Sequence, residues 1–283
     1  MLVTLAVAVS ASGSIAEADE IRKSLGDDRS RMYDALYAHH KYHHDLNISH
    51  AEGMIETLIS PRYAAAERST VRFLDIGCSH GKGVELLWRA GFRASGVDLA
   101  KTAVEMARKT RHPPSRTSCV PEGKSDCFKV GSAAALPWED GAFDAALSTD
   151  VLEHIPPALV PAAMKEFGRV VRRALFLGVA GKPEGAVMRS GQLAAGYVAR
   201  LKGGERQSEV GLHETNHGPE WWVEQLVSAD RRWQCTVEMR KSVTCSPSDA
   251  HVFALSDQFA DLARECRTTG NHTAGGVIGC VRP

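Results

Sequence analysis

The sequence predicts an α/β protein: a seven-stranded, mostly parallel sheet with helices on both faces and a C-terminal antiparallel hairpin. Three observations support this fold class. Short apolar runs alternate with helical segments, a glycine-rich turn follows the first of these runs, and the next strand ends on an acidic residue about twenty residues later. Continuous apolar runs are typical of strands buried on both faces of a parallel sheet. The 283 residues, of which 43% are hydrophobic, suffice for one such core with an added cap.

The first strand and the turn behind it form the most informative stretch. Val71 to Ile76 is a short apolar run, and the following turn has the sequence G-C-S-H-G-K-G. Glycines let the backbone turn tightly and approach a ligand, and a helix, Val84 to Arg89, starts directly behind them. The second strand, Ala94 to Val97, ends at Asp98, where a carboxylate can accept hydrogen bonds from two ribose hydroxyls. The cofactor-binding candidates of this stretch are Asp75, Gly77, Cys78, Ser79, Gly81, Gly83, Asp98 and Leu99.

With Asp75, this turn resembles the D-x-G-x-G-x-G turn of class I S-adenosylmethionine-dependent methyltransferases, with Ser79 in the place of the middle glycine. A second block, Gly131 to Ile155, resembles the segment of the same family that runs from the adenine-binding turn into the fourth strand. The resemblance implies a Rossmann-like fold and S-adenosyl-L-methionine as the cofactor. A nicotinamide dinucleotide is the alternative, although its G-x-G-x-x-G fingerprint is not matched. A second alternative is a buried βαβ unit that binds no ligand, but it would not explain why the carboxylates of Asp75 and Asp98 lie at strand ends.

The remaining elements continue the alternation. Lys101 to Thr110 and Pro157 to Arg173 are predicted helices, and a third helix runs from Pro219 to Val227. The later strands are predicted at Cys127 to Val130, Phe143 to Ser148, Ala174 to Ala180, Trp233 to Arg240 and His251 to Leu255. The last two of these strands form the predicted hairpin.

Within the second block, the resemblance implies three further cofactor contacts. Ser132 lies where the family often has an acidic residue near the adenine amino group, and Ala133 would offer its backbone N–H to an adenine ring nitrogen. Asp150 follows the fourth strand and would lie close to the sulfonium of the methyl donor.

The chain divides into four predicted parts. Residues 1–20 resemble a signal peptide, residues 21–62 form an N-terminal helical cap, and residues 63–260 form the methyltransferase domain with an insertion at 181–212. Residues 261–283 form a tail, helical at first and then loose and glycine-rich.

The cap carries a single helical face, because aromatic and other large side chains recur at three- and four-residue steps. These residues are Tyr33, Leu36, Tyr37, His40 and His44. In the proteins that this segment resembles, such a helix closes over the methionine end of the cofactor.

Three histidines are candidate catalytic residues. His154 ends the sequence V-L-E-H, and because imidazole titrates near neutrality it is a candidate general base; a structural or substrate-pocket role is the alternative. His213 and His217 lie in a loop before the Pro219 helix, which would sit over the mouth of the site. They are candidates for substrate contact or proton removal.

Two histidine patterns could also indicate metal binding. His213, Glu214 and His217 match H-E-x-x-H, which binds zinc only on a helix, and Gly218-Pro219 immediately afterwards oppose a helix there. The run H-H-K-Y-H-H at 39–44 has the i, i+4 spacing of helical ligands, but no cysteine or carboxylate cluster completes it nearby. We therefore expect no bound metal, with a zinc hydrolase as an alternative.

Several features favour the lumen of the secretory pathway. The apolar start of residues 1–20 resembles a signal peptide, although no Lys or Arg precedes it, and Asn47 and Asn271 begin glycosylation sequons. Apart from Cys78, the cysteines fall as sequence neighbours, which makes the most local pairing Cys119–Cys127, Cys235–Cys245 and Cys266–Cys280. A cytoplasmic or plastid protein with free thiols is the alternative.

These features predict an enzyme that transfers a methyl group from S-adenosylmethionine to a hydroxyl of a small molecule or glycan by in-line displacement. If the chain is lumenal, a carbohydrate is the first choice of acceptor. Equal numbers of basic and acidic residues, 34 each, give no electrostatic footprint for nucleic acid, and no apolar run supports a stable membrane span. A non-catalytic module that binds S-adenosylmethionine is the alternative function. The oligomeric state stays open.

Overall fold

The computed structural model describes residues 29–38, 49–120, 127–179, 213–215, 217–238 and 276–281. The predicted signal peptide, the insertion at 181–212, the asparagines of both sequons and the histidines of 39–44 lie outside these residues and stay predictions. Among the described residues, no helix is both long enough and apolar enough to cross a membrane.

The helices and strands follow one another in the predicted alternation. The helices are α1 (29–37), α2 (Ser49–Met54), α3 (Lys82–Arg89), α4 (Lys101–Thr110), α5 (Val160–Val170) and α6 (Pro219–Ala229). The strands are β1 (Arg72–Ile76), β2 (Arg93–Asp98), β3 (Phe128–Val130), β4 (Phe143–Thr149), β5 (Val171–Val179), β6 (Gln234–Glu238) and β7 (Gly276–Val281). After α2 the chain continues in a π-helical turn, Ile55–Ile59.

The strands lie in one sheet in the order β3-β2-β1-β4-β5-β7-β6. The first five are parallel, and β7 is antiparallel to both β5 and β6. The order reverses direction at β1, between β2 and β4. In open α/β sheets, ligands bind beyond the carboxyl ends of the strands at such a point. The prediction of an α/β, Rossmann-like protein with a mostly parallel sheet is confirmed.

Each central strand contributes side chains to two hydrophobic clusters, one on each face of the sheet, because consecutive side chains point to opposite faces. Phe73 packs on one face with α2, α3 and α4, in a cluster that includes Leu58, Leu87 and Val104. Its neighbour Leu74 packs on the other face with α5 and α6, in a cluster that includes Phe167 and Trp222. Helices therefore cover both faces, as the apolar runs required.

The boundary between α5 and β5 differs from the prediction. The sequence suggested a helix to Arg173, but α5 ends at Val170 and Val171 already pairs with Phe143 of β4. Val171 is fully buried in the sheet whereas the next two residues are exposed. Val171 is β-branched and buried, and such residues favour strands, so the helix ends before it.

The C-terminal part of the sheet also differs from the prediction. The strand that pairs with β5 is Gly276–Val281, for which the sequence predicts a loose tail. The predicted hairpin arm His251 to Leu255 lies outside the described residues, so that hairpin stays a prediction. The sheet therefore recruits residues from beyond the predicted domain end at 260.

A disulfide joins Cys119 to Cys127, with Cα atoms 5.0 Å apart and a sequence separation of 8, which confirms that predicted pair. It closes the excursion between α4 and β3. Cys235 is disulfide-bonded as well, and Cys280 is its backbone partner across the β6–β7 ladder. The predicted partner Cys245 lies outside the described residues, as does Cys266.

Candidate functional site

Asp75 lies one residue before the end of β1 and is buried beneath the glycine-rich turn. The backbone N–H of Val84, in the first turn of α3, donates a hydrogen bond to its carboxylate. A Cβ atom at Gly83 would overlap Asp75 Oδ2, so only glycine lets the helix approach this closely. Burial, together with the negative charge of Asp98, raises the pKa of Asp75 to about 7. The site thus holds a carboxyl that titrates near neutrality.

The turn between β1 and α3 brings three residues into the left-handed backbone region. Gly77 has φ 79°, Gly81 has φ 81° and precedes the first residue of α3, and Ser79 adopts φ 50° without being glycine. The N–H groups of Gly77 and Cys78 both donate to the carbonyl of Val97 in β2, at 2.8 and 2.9 Å. The turn is therefore fastened to the end of the neighbouring strand.

Asp98 ends β2 directly beside this turn. Its Oδ2 accepts a hydrogen bond from the N–H of Ser79 at 2.8 Å, and its Oδ1 accepts one from the N–H of Ala100 at 2.9 Å. Burial raises the pKa of Asp98 to about 6, against the opposing effect of these hydrogen bonds. The two bonds fix the orientation of the Asp98 carboxylate, and its contact with a ribose stays a prediction.

Cys78 has a structural position within the turn. Its side chain is buried, and a Cβ atom at Gly96 of β2 would lie 2.6 Å from its Sγ. Burial raises the pKa of the Cys78 thiol well above its ordinary value, so it stays protonated. Its side chain packs against β2, and the predicted cofactor contact of Cys78 stays a prediction.

The second predicted cofactor segment starts beside Asp98, because the N–H of Gly131 donates to the Asp98 carbonyl at 2.9 Å. The hydroxyl of Ser132 accepts a hydrogen bond from the N–H of Ala134 at 3.1 Å and so shapes the local turn. Ala133 is half-buried. The adenine contacts of Ser132 and Ala133 stay predictions.

Asp150 follows β4 at the same edge of the sheet. It is the second non-glycine residue with a left-handed backbone among the described residues, at φ 54°. Its neighbour Val151 packs so closely on Gly77 that a Cβ atom there would overlap the valine. The turn after β1 and the loop after β4 are therefore in direct contact, as a site shared between them requires.

Helix α1 lies over the carboxyl ends of the strands and contacts both the loop after β2 and the loop after β4. The Arg29 side chain forms an ion pair with Glu214 and donates to the carbonyl of His154 at 3.1 Å. The adjacent Ser30 donates its hydroxyl hydrogen to the carbonyl of Leu99 at 3.0 Å. Since neighbouring residues of one helix reach both places, the loop of Asp98 and the loop of His154 border one site.

Two of the three predicted histidines meet at this place. The rings of His154 and His213 are 4.6 Å apart and perpendicular, and Tyr33 of α1 lies 6.3 Å from His154. His217 is exposed and stacks on Trp221 at 4.0 Å instead. The structure therefore places His154 and His213 in one cluster and His217 on the surface of α6.

The H-E-x-x-H motif does not form a helical zinc site. His213, Glu214 and Thr215 lie in an extended loop, and helix α6 begins only at Pro219. Glu214, which would act as the base of a protease, pairs with Arg29. The zinc hydrolase alternative fails because its two histidines do not share a helix face.

Sequence reasoning missed Arg29, Ser30 and Glu153 as members of this site. Glu153 is fully buried, and its backbone carbonyl accepts hydrogen bonds from the N–H groups of Glu214 and Thr215 at 2.8 and 3.0 Å. The glutamate next to His154 in V-L-E-H was an available signal, although its burial cannot be seen in the sequence. Arg29 and Ser30 gave none, because they lie outside both motif blocks.

Comparison with known proteins adds a family assignment for part of the chain. Residues 74–176 match the family described as "Methyltransferase domain". The chain is similar to ubiquinone biosynthesis O-methyltransferases from Methylocella silvestris (36% identity over 101 residues, 36% of each chain) and Xanthomonas axonopodis pv. citri (30% identity over 144 residues, 49% of this chain and 54% of the relative). The chain thus spans between about a third and about half of the length of these relatives.

Among solved structures, the chain is similar to magnesium protoporphyrin IX methyltransferase from Synechocystis PCC 6803 with bound SAH. The TM-score is 0.49 at 15% identity, over 94% of this chain and 99% of that one. A protein from Bacillus subtilis, YcgJ, has a TM-score of 0.48 at 19% identity, over 82% of this chain and 98% of that one.

Proposed function

We propose that residues 74–176, which match the family described as "Methyltransferase domain", form a class I S-adenosylmethionine-dependent methyltransferase domain, and that the protein methylates a hydroxyl group of a small molecule. One observation carries the proposal. Arg29 and Ser30, neighbours on α1, contact the loop of His154 and the loop that follows Asp98. A donor held at Asp98 and an acceptor held at the histidines would therefore lie side by side.

The donor half of the site supports binding of S-adenosylmethionine, which supplies a methyl group already activated by its sulfonium. Asp98 is fixed by two backbone N–H groups and offers its remaining lone pairs to the ribose. Asp75, beneath the turn, supplies negative charge near the cationic end of the donor. We assign Ser132 and Ala133 to the adenine and Asp150 to the neighbourhood of the sulfonium.

The acceptor half is the cluster around His154 and His213. In the transfer, the acceptor oxygen forms a bond to the methyl carbon as the bond from that carbon to sulfur breaks. Enzymes accelerate this step chiefly by holding the three atoms in line and excluding water. A hydroxyl acceptor must also lose its proton, and we assign this activation to the His154–His213 pair, whose rings are 4.6 Å apart. Arg29 positions the pair through the His154 carbonyl and Glu214.

The class of acceptor follows from two different observations. The similar proteins are named as O-methyltransferases of ubiquinone biosynthesis, which favours a small molecule with a hydroxyl acceptor. The Cys119–Cys127 disulfide favours an oxidising compartment, and we propose the secretory lumen on that basis. A carbohydrate hydroxyl is the acceptor to test second, because it is the abundant hydroxyl acceptor in that compartment.

Calorimetric titration of the full chain with S-adenosylmethionine, and separately with its demethylated product, tests the donor assignment. We expect binding in the micromolar range, weakened about tenfold or more in Asp98→Ala because the hydrogen bonds to the ribose are lost. Asp140→Ala is the matched control, because Asp140 is an exposed carboxylate that pairs with Arg169. No binding by the folded protein would overturn the proposal.

An acceptor screen then tests the reaction itself, with phenolic and carbohydrate hydroxyl compounds as separate sets. His213→Ala should lower kcat and leave donor affinity nearly unchanged. Tight donor binding without turnover on either set would instead favour the non-catalytic binding module.

A further inference from the structure

We propose that Glu153, His154 and His213 form a binding site for one divalent metal cation of the zinc class. Each residue offers one ligand atom, and the three atoms all lie within 4.8 Å of one another. The inference deepens the proposed function and rests on it for the use of the cation. It reverses the expectation, drawn from the sequence, that no metal is bound.

The distances fit a metal centre after a small inward movement. Zinc binds imidazole nitrogen and carboxylate oxygen at about 2.0–2.2 Å, so two ligands of a tetrahedral ion are about 3.5 Å apart. To close this difference, the three side chains would have to rotate about their χ angles. Two imidazoles and one carboxylate are a ligand set that zinc, manganese and ferrous iron all accept.

The backbone holds the two ligand-bearing segments together. The Glu153 carbonyl accepts hydrogen bonds from the N–H groups of Glu214 and Thr215, the two residues after His213. The Thr215 hydroxyl donates to the Ile155 carbonyl at 2.5 Å, and Thr215 is itself buried. These three bonds join the segment that carries His213 to the segment that carries Glu153 and His154, so the three residues are held close together before a metal binds. A site of this kind loses little entropy when a metal binds.

The charges around the cluster also suit a cation. Glu153 is fully buried, where an ionised carboxylate is costly without a positive partner. Arg29, which donates to the His154 carbonyl, pairs with Glu214 beside the cluster. A dication bound at the cluster would place a positive charge next to the buried Glu153 carboxylate.

Three protein ligands leave a coordination position open, as in catalytic rather than structural zinc sites. We assign that position to the acceptor oxygen. Coordination lowers the pKa of the acceptor hydroxyl, whose proton passes to water, and the resulting oxygen anion attacks the methyl carbon as the carbon–sulfur bond breaks. The cation is neither oxidised nor reduced. On this account the histidines activate the acceptor as ligands.

The test is calorimetric titration of the full chain with zinc chloride, and separately with manganese chloride, after EDTA treatment and gel filtration. We expect one equivalent to bind, and His213→Ala and Glu153→Gln to weaken binding about tenfold or more. His217→Ala is the matched control, since His217 belongs to the same loop region but stacks on Trp221 outside the cluster. Circular dichroism identifies any variant that fails to fold. If His213→Ala does not fold, Glu153→Gln decides the outcome, because it keeps the shape of the side chain.

Absence of metal binding to the wild-type protein would overturn the proposal. Equal affinity of His213→Ala and His217→Ala would overturn it as well, because the metal would then bind elsewhere, for example at the histidines of 39–44. Titration of the same samples with S-adenosylmethionine tests the proposed function separately from the metal site. If the protein bound the donor but no metal, the proposed function would stand and only the proposed metal site would be rejected.

Discussion

Replacing Asp75 with Asn is expected to stabilise the protein at neutral pH while weakening its binding of the donor. Burial and the negative charge of Asp98 raise the pKa of Asp75 from 3.8 to about 7. One pKa unit corresponds to about 1.4 kcal/mol, so the ionised carboxylate destabilises the folded state by about 4 kcal/mol at about pH 8. Because the pKa is raised on folding, this destabilisation is absent below about pH 4 and develops as the pH rises towards about 7. Asparagine carries no charge and still offers an oxygen to the Val84 N–H.

Urea unfolding followed by tryptophan fluorescence, repeated across pH, measures the effect. We expect the advantage of Asp75→Asn in unfolding free energy to increase by about 2–3 kcal/mol between about pH 5 and about pH 8. A difference that does not change with pH would refute the reasoning, because ionisation of a buried carboxyl would not be its cause.

Asp144→Asn is the matched control, since its expected pH dependence has the opposite sign. Although burial opposes the change, hydrogen bonds from the side chain and backbone of Arg72 lower the pKa of Asp144 below its ordinary value. A lowered pKa stabilises the folded state above the unfolded-state pKa, and this contribution is lost as the pH falls through the folded-state pKa. Asp144→Asn should therefore destabilise the protein at neutral pH, and the effect should fade in acid.

Three further changes test other parts of the structure. Gly83→Ala places a methyl group on Asp75 Oδ2, and should lower the unfolding free energy by about 1–3 kcal/mol in urea and weaken donor binding in calorimetry. The double change Cys119→Ser and Cys127→Ser opens a short loop and should lower the unfolding free energy by about 2–3 kcal/mol; an unchanged urea midpoint would contradict this. Arg29→Ala removes the contacts to His154 and Glu214, so steady-state kinetics should show a lower kcat with donor affinity retained, and Arg29→Lys should recover part of the loss.

The tight turn between β1 and α3 could be predicted because its geometry restricts residue types. Gly81 has a positive φ, and Gly83 has no room for a Cβ atom beside a buried carboxylate. Backbone constraints of this kind are visible as glycines at fixed spacing. Asp75 and Asp98 could be identified for a related reason, since acidic residues at the ends of apolar strands are conspicuous in a sequence.

The contact between His154 and His213 could not be predicted, although both residues are candidates in the sequence, because it depends on contacts between distant segments. The His154–His213 pair is held by backbone N–H groups of Glu214 and Thr215 that donate to the Glu153 carbonyl, and any residue type can supply those groups. β7 was missed for the same reason. Its pairing with β5 uses backbone groups, and its glycines resemble those of a loop in the sequence.

Asp75 and Asp98 raise a question that stability alone does not answer. Asp75 accepts a hydrogen bond from the Val84 N–H that the oxygen of an asparagine could also accept, and burial makes the carboxyls of both Asp75 and Asp98 costly to ionise. A cationic ligand resolves the question, because the positive charge of the donor stabilises the ionised forms.

Donor binding should then lower both raised pKa values and release protons below about pH 7. Affinity for S-adenosylmethionine should increase from about pH 5 to about pH 8 for this reason. Calorimetry in buffers of different ionisation enthalpy counts the protons released, and Asp75→Asn should release fewer. Binding of the donor to the wild-type protein without proton release at about pH 6 would show that the two carboxyls remain protonated in the complex. The charge of the donor would then not explain why carboxyls are buried at these two positions.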